Sequence, residues 1–328
     1  MGAAAILIAG CSGAEAPAPN ARASPSASAS ATPWQFKTGH WTGEPYEIAF
    51  TSRRDDYWSI YALDEEGDLD HIVDITSVGN GPPRGFLDFL GHPAWSPDAT
   101  RMAFTCTHTG RSEVCLVDPA TAEVRLLTGA PGEVDVDPDW SADGNLIYFS
   151  SFRNGDYDIY SMWPDGSHVR PVVGGPANQS GLDVSPDGRL MAYVQRPERQ
   201  EVVKVVRLRG TRTRLVESLD DAVMPAWSPS GRELAFSRTR GERFSDLFVY
   251  SLKNGAVTRL TRSPGLDSSP AFSPDGTTVA FIRDRLWDGQ GYAVSDLFLV
   301  DVATGEVTQL TNDSSTDMQP AWKPRPSA

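Results

Sequence analysis

From Tyr46 onward the apolar residues of this chain fall in short runs separated by polar breaks. Runs such as "YEIAFTS", "MAF", "IYF" and "LAF" are rich in β-branched and aromatic side chains. They are bounded by Gly, Pro, Asp or Ser, the pattern of strands. The runs come in sets of four. A short first run ends in Trp or Phe, and a polar S-P-D-G break follows it. A second apolar run comes next, then a third such as "DIYSM", "DLFVY" or "DLFLV". The fourth carries "RLLT", "TRLT" or "TQLT".

The first half of each set is nearly a copy of the last. "PAWSPDATRMAF" at Pro93 returns as "PDWSADGNLIYF" at Pro138, "LDVSPDGRLMAYV" at Leu182, "PAWSPSGRELAF" at Pro225 and "PAFSPDGTTVAF" at Pro270, and a short "PAWKP" starts at Pro320. The intervals are 45, 44, 43, 45 and 50 residues. Four strands in a period in the mid-forties predict the blades of a β-propeller. In the breaks, Pro presets φ, Asp accepts a bond from backbone two residues on, and Gly takes positive φ. Asp98, Asp143, Asp187 and Asp275 recur at one repeat position, so they read as turn-formers rather than catalytic carboxylates.

The set beginning at Tyr46 lacks a first strand, and "MQPAWKP" is a first strand with no set after it. The two fragments complement each other. The expectation is an all-β fold: a six-bladed β-propeller with four-stranded blades, its ring closed by the C-terminal strand. Five continuous units start near His92, Asp137, Gly181, Met224 and Ser269, and the sixth is composite. Closure removes a raw sheet edge. "WQF" at Trp34 is the weaker candidate for the missing strand.

The P-x-W-S-P-D-G-x-x-hydrophobic-A-F core, with the D-[IL]-[FY] and R-L-T strands, resembles the WD40-like PD40 repeat of the TolB family of β-propellers. The resemblance covers about Tyr46 to Pro324 and speaks for fold more than for function. It implies a propeller without the α/β domain that precedes it in TolB proper, and without the hydrolase domain of prolyl oligopeptidase-type enzymes.

Lys+Arg 29 against Asp+Glu 43 gives a net charge of −14, which argues against a nucleic-acid partner. No stretch approaches the ~20 apolar residues of a transmembrane helix. The start, "MGAAAILIAGCSG", places an apolar run before Cys11 and matches a bacterial lipobox, so Cys11 is the expected lipidation site. The run has no Lys or Arg and is short for a signal peptide; the expectation is a true start upstream of Met1, against a meaningless apolar terminus. Residues 12–45 are an Ala/Pro/Ser-rich tether and lead-in. The expected organisation is 1–11 lipoprotein signal segment, 12–45 tether, 46–324 propeller and 325–328 tail.

In "FTCTHTGRSEVCLV" a two-residue turn at Gly110-Arg111 sets Cys106 opposite Cys115 on a non-hydrogen-bonded rung, with Cα atoms ~4.5 Å apart. A disulfide there marks an oxidising compartment; two free buried thiols suit the cytosol.

Propellers bind ligands at their faces and in the central channel. Three residues before the motif Pro stand Asp135, Asp267 and Asp317, with Gln179 and Ala222 (beside Asp221) at the same place in other repeats. Carboxylates converging on a channel mouth suit a cation such as calcium or a basic side chain from a partner. The alternative is that each Asp caps its own loop. No cofactor is expected. His40, His71, His92, His108 and His168 show no metal spacing, and no H-E-x-x-H, C-x-x-C or G-x-S-x-G occurs. Asp64, Glu65, Glu66 and Asp68 read better as a solvated hairpin than as a calcium loop. Two long loops break the repeat, and Phe86, Phe89, Trp287 and Tyr292 in them are candidate partner anchors. The expected function is a monomeric propeller anchored outside the cytoplasmic membrane by a lipidated cysteine, where it serves as an interaction scaffold for an envelope protein and carries no catalytic motif. The rival is an enzyme or a carbohydrate or small-ligand receptor with its site in the channel.

Overall fold

The structure, a computed structural model, describes residues 47–325 except 55–56, 65–66, 76–90, 108–110, 198–199, 210–211, 240–243 and 285–293. The described residues are all strand, turn or irregular backbone, with no helix among them.

In chain order the strands are β1 (Ile48–Arg54), β2 (Tyr57–Leu63), β3 (Leu69–Asp74), β4 (Gly91–Trp95), β5 (Met102–Thr107), β6 (Ser112–Asp118), β7 (Glu123–Leu126), β8 (Asp135–Trp140), β9 (Ile147–Ser151), β10 (Asp158–Met162), β11 (Arg170–Val173) and β12 (Asn178–Val184). There follow β13 (Leu190–Arg196), β14 (Val202–Arg209), β15 (Arg212–Asp220), β16 (Ala222–Trp227), β17 (Glu233–Thr239), β18 (Ser245–Ser251), β19 (Val257–Arg259), β20 (Leu266–Phe272), β21 (Thr278–Asp284), β22 (Ser295–Asp301), β23 (Val307–Gln309) and β24 (Thr316–Trp322).

These strands form an all-β propeller of antiparallel meanders. Sheets β4–β7, β8–β11 and β12–β15 each run in sequence order. A fourth sheet has the order β24-β1-β2-β3, so the strand containing "MQPAW" pairs with the first strand of the repeat region. The last sheet is one of eight strands, β16 to β23, instead of two separate sheets of four. The reason is a single parallel pair, Ser245 with Leu266, which joins β18 to β20. Six separate sheets are therefore not what the hydrogen bonding shows; there are four of four strands and one of eight.

The S-P-D-G breaks fold as their chemistry dictates. Asp98, Asp143, Asp187 and Asp275 each accept a bond from the preceding Ser hydroxyl at 2.5–2.7 Å and from backbone N–H two residues on at 3.0–3.2 Å. The Ser96 and Ser141 hydroxyls hold the Asp98 and Asp143 carboxyls below their usual range. The Asp64 carboxyl likewise closes its own hairpin, accepting from Asp68 N at 2.7 Å.

The core lies between consecutive sheets rather than inside any one. Phe50, Phe104, Phe149, Phe236 and Phe281 sit at the same place on the second strand of their repeats and are fully buried. Phe104 packs with Trp58, Ile60 and Val117; Phe149 with Val114, Leu116 and Trp140; Phe236 with Val203, Val205 and Trp227; Phe281 with Ala235, Leu247 and Val249. Phe50 packs with Ile282 and Leu297, so the sheet holding β20–β23 meets the one holding β1. Each such ring buries apolar area worth ~1.5–3 kcal/mol. Motif Trp residues add a bond across the sheet interface: Trp140 Nε1 donates to Ala94 O, Trp227 Nε1 to Asp183 O and Trp322 Nε1 to Ala271 O, at 3.0–3.1 Å. A buried indole needs such an acceptor.

Candidate functional site: the central cavity

Six strands, β24, β4, β8, β12, β16 and β20, line one cavity of ≈ 360 Å³ with their motif segments. That size is within the range of small-ligand sites. The residue before the motif Pro (or Leu182) has left-handed backbone in every one of the six. These are His92 (φ 43°), Asp137 (53°), Gly181 (58°), Met224 (52°), Ser269 (52°) and Gln319 (54°). Only Gly adopts this region without cost. The cause is a bulge at the same step of each strand: β4, β8, β12, β16 and β20 carry one extra residue against their neighbour there, and β24 shifts register against β1 at the same step. Bulges re-aim side chains, and here they bring five different ones and Gly181 to one rim.

Those side chains lace neighbouring strands together. Gln319 Oε1 accepts from His92 N at 2.9 Å and from Thr51 Oγ1 at 3.1 Å. His92 Nδ1 lies 3.1 Å from Asp137 Oδ1, an oxygen with no hydrogen bond among the described residues. Asp137 Oδ2 accepts from Gly181 N at 3.0 Å, and Ser269 Oγ donates to Met224 Sδ at 3.3 Å.

A second pair of carboxylates lies one step along in the wall. Where four repeats have Ala94, Ala226, Ala271 and Ala321, two adjacent ones have Asp139 and Asp183. Asp139 accepts from Trp140 N at 2.8 Å and Val184 N at 2.7 Å, and Asp183 accepts from Trp227 N. The two buried carboxyls act on each other's ionisation. Burial pushes Asp139 up to about 6. Burial and then the Asp139 charge push Asp183 well above the usual carboxylate range. Sequence reasoning passed over this pair; the replacement of Ala by Asp in the P-A-W motif was the available signal.

Asp135, Asp267 and Asp317 are elsewhere. All three are buried, none lines the cavity, and each meets an arginine of its own sheet. Arg153 Nη2 donates to Asp135 at 3.3 Å; Arg283 Nε and Nη2 donate to Asp267 at 2.6 and 3.0 Å; Arg54 Nη2 is 3.3 Å from Asp317, which Ser52 Oγ also bonds at 2.6 Å. Burial raises Asp317 against the opposing pull of Arg54. Beside the Asp267 pair, burial and the Asp267 charge raise Asp284 to about 6. Among the described residues no group of three or more His, Cys, Asp or Glu is arranged to hold a metal ion. Cys11, Phe86, Phe89, Trp287 and Tyr292 lie outside the described residues.

Cys106 and Cys115 are bonded, with Cα atoms 5.9 Å apart. The register corrects the expectation. Cys106 pairs with Glu113 and Phe104 with Cys115, so the bond crosses a diagonal rather than a rung. The last pair is Thr107 with Ser112, not 109 with 112, because the connection is longer than a two-residue turn.

A ring of bulged inner strands around a central cavity, with meanders radiating from it, defines a β-propeller. The chain belongs to the TolB β-propeller family, whose domain profile (PD40, TolB beta propeller domain) matches residues 84–218 and 182–295. It is 32% identical over 148 residues to a protein named TolB homolog from Chlorobium luteolum, covering 45% of this chain and 31% of that one. It is 28% identical over 159 residues to an uncharacterized protein of Agrobacterium fabrum, covering 44% of this chain and 53% of the other. The matches thus span about a third to a half of the length of these curated relatives. In fold it is similar to the crystal structure of TolB from Acinetobacter baumannii, with a TM-score of 0.68 at 20% identity, over 85% of this chain and 67% of that one.

Proposed function

We propose that this chain is a non-catalytic docking module of the cell envelope, a six-bladed propeller of residues 46–324 tethered by a lipid on Cys11. In this reading the eight-stranded sheet is two blades joined by one parallel pair, and β24 closes the ring. The observation that carries the docking role is the rim: one backbone conformation presented six times, with His92, Asp137, Gly181, Met224, Ser269 and Gln319 in turn. A fixed frame with varied side chains is what recognition of an asymmetric partner asks for, and Met224 stands exposed on it. The lipobox, the Ala/Pro/Ser-rich tether and the Cys106–Cys115 bond together support export.

The experiment is crosslinking in intact cells with the tethered protein as bait, beside a Met224→Asp/Gln319→Ala rim variant and Cys11→Ala. The reading requires a protein partner that the rim variant loses and membrane retention that Cys11→Ala abolishes. A partner held equally by the rim variant moves the docking face off the cavity rim. A small-ligand receptor is the second reading, favoured by the Asp139–Asp183 pair in a cavity of ligand size; a small molecule retained with no protein partner would establish it instead.

A further inference from the structure

A second open pocket, of ≈ 530 Å³, lies away from the cavity and is lined by Arg101, Arg125, Asn145, Trp163, Pro164 and Asp165. Arg101 and Arg125 come from the sheet of β4–β7, the others from the sheet of β8–β11. Its frame recurs along the chain, but its chemistry does not. Trp163 N bonds Ser167 O to close the turn after β10, as Ser251 N bonds Ala256 O and Asp301 N bonds Glu306 O in later repeats. Trp163 therefore stands where those repeats have Ser251 and Asp301. By the same alignment of backbone bonds, Leu127 N to Val114 O against Leu260 N to Leu247 O and Leu310 N to Leu297 O, Arg125 replaces Thr258 and Thr308. Arg101 O accepts from Ser96 N as Leu146 O, Leu190 O, Glu233 O and Thr278 O accept from the Ser of their own repeats, so among these five repeats an arginine stands at this place only here.

Trp163 is 46% exposed, more than any other large apolar side chain described. His168 stacks on it at 3.5 Å, which leaves one indole face for a ligand. The wall is prebuilt. Gly166 (φ +86°) brings the turn so close to the neighbouring sheet that a Cβ there would lie 2.6 Å from Leu127 O. Such preorganisation lowers the cost of binding. Neither Arg101 nor Arg125 makes an ion pair among the described residues, in a chain of net charge −14. Two guanidiniums at one pocket match a carboxylate. Asn145 gives its amide Nδ2 to Asp143 at 3.0 Å, which leaves its carbonyl oxygen as an acceptor. Asp165 accepts from the Ser167 backbone N–H and hydroxyl through Oδ1.

We propose that this pocket binds a uronate unit of an acidic polysaccharide. The sugar ring lays its C–H face on the Trp163 indole, its carboxylate meets Arg101 and Arg125, and its hydroxyls donate to Asp165 and Asn145. An acidic peptide would satisfy the arginines but has no hydroxyl-bearing ring to donate to Asp165.

The test is calorimetric titration with D-glucuronate and a short oligomannuronate, with the neutral mannose oligomer and a glutamate-rich peptide as comparisons. Trp163→Ser and Arg125→Thr import the residues that other repeats use, so both variants should keep the parent's melting temperature. The uronates should bind, Trp163→Ser should abolish the heat, and Arg125→Thr should weaken binding about tenfold, one charge-assisted bond's worth. No uronate binding at millimolar concentration overturns the proposal. So does binding that neither variant changes, equal binding of the neutral oligomer, or preference for the peptide.

Discussion

Replacing Asp183 with Asn should stabilise the protein at neutral pH and leave it unchanged near pH 4. In the folded chain burial and the Asp139 charge favour the protonated form of Asp183. An Asn side chain reproduces the protonated carboxyl: its oxygen accepts from Trp227 N and its amide donates to Asp139. The difference lies in the proton. A carboxyl whose folded pKa is raised contributes stability fully present below the unfolded value, near 3.8, and lost as pH rises through the folded value. While Asp183 keeps its proton and the unfolded chain has released it, stability falls by ~1.4 kcal/mol per pH unit. Asp139 adds the same slope up to its own value of about 6. The Asp183→Asn substitution removes the Asp183 share only. The variant should therefore gain on the parent as pH rises from about 4, by up to ~1.4 kcal/mol per pH unit while Asp183 keeps its proton. Urea unfolding followed by tryptophan fluorescence, at half-unit steps from pH 4 to 8, reads this as a growing separation of midpoints at constant m-value. A separation that does not change with pH, of either sign, would refute the raised ionisation of Asp183, because a packing defect has no titration.

Other perturbations follow from the same geometry. Arg283→Ala strands the buried Asp267 carboxylate and should cost about 3–5 kcal/mol by urea denaturation; a loss under 1 kcal/mol would mean that Ser263 Oγ, which donates to Asp267 at 3.0 Å, holds it alone. Reducing Cys106–Cys115 should cost ~2–3 kcal/mol for so short a loop, and both thiols should be blocked to alkylation in the denatured, unreduced protein. Deleting residues 316–328 bares the edge of β1 and removes Trp322 from its contacts with Ile48 and Leu299. The product should associate through that edge or lose its cooperative melt, and an unchanged monomeric melt would argue against β24 as a structural part of the ring.

How much of this was legible beforehand divides by the range of the interaction. Strand positions, turn Asp residues and the pairing of Cys106 with Cys115 all follow from residues near in sequence. The hairpin register did not, because it turns on the length of the connection beyond Thr107. Asp135, Asp267 and Asp317 were read as converging on a channel mouth because they repeat; what repeats is an Asp with an arginine on or just past the adjacent strand, and that partnership needs the pairing to be seen. The rim and the Asp139–Asp183 pair depend on the six bulges, which rotate side chains between strands ~45 residues apart, beyond the reach of any local pattern.

The pairing of β1 with β24 sets a clock on maturation. Thr51 and its partner Gln319 are 268 residues apart. At ~5–20 residues per second, the first strand is made tens of seconds before its last neighbour exists. Through that interval the edge of β1 is an unpaired template. The pairing cannot complete until residues 316–322 have been made. Synthesis of the last strand, then, rather than the local pairing of any hairpin, fixes the earliest moment at which that edge is covered.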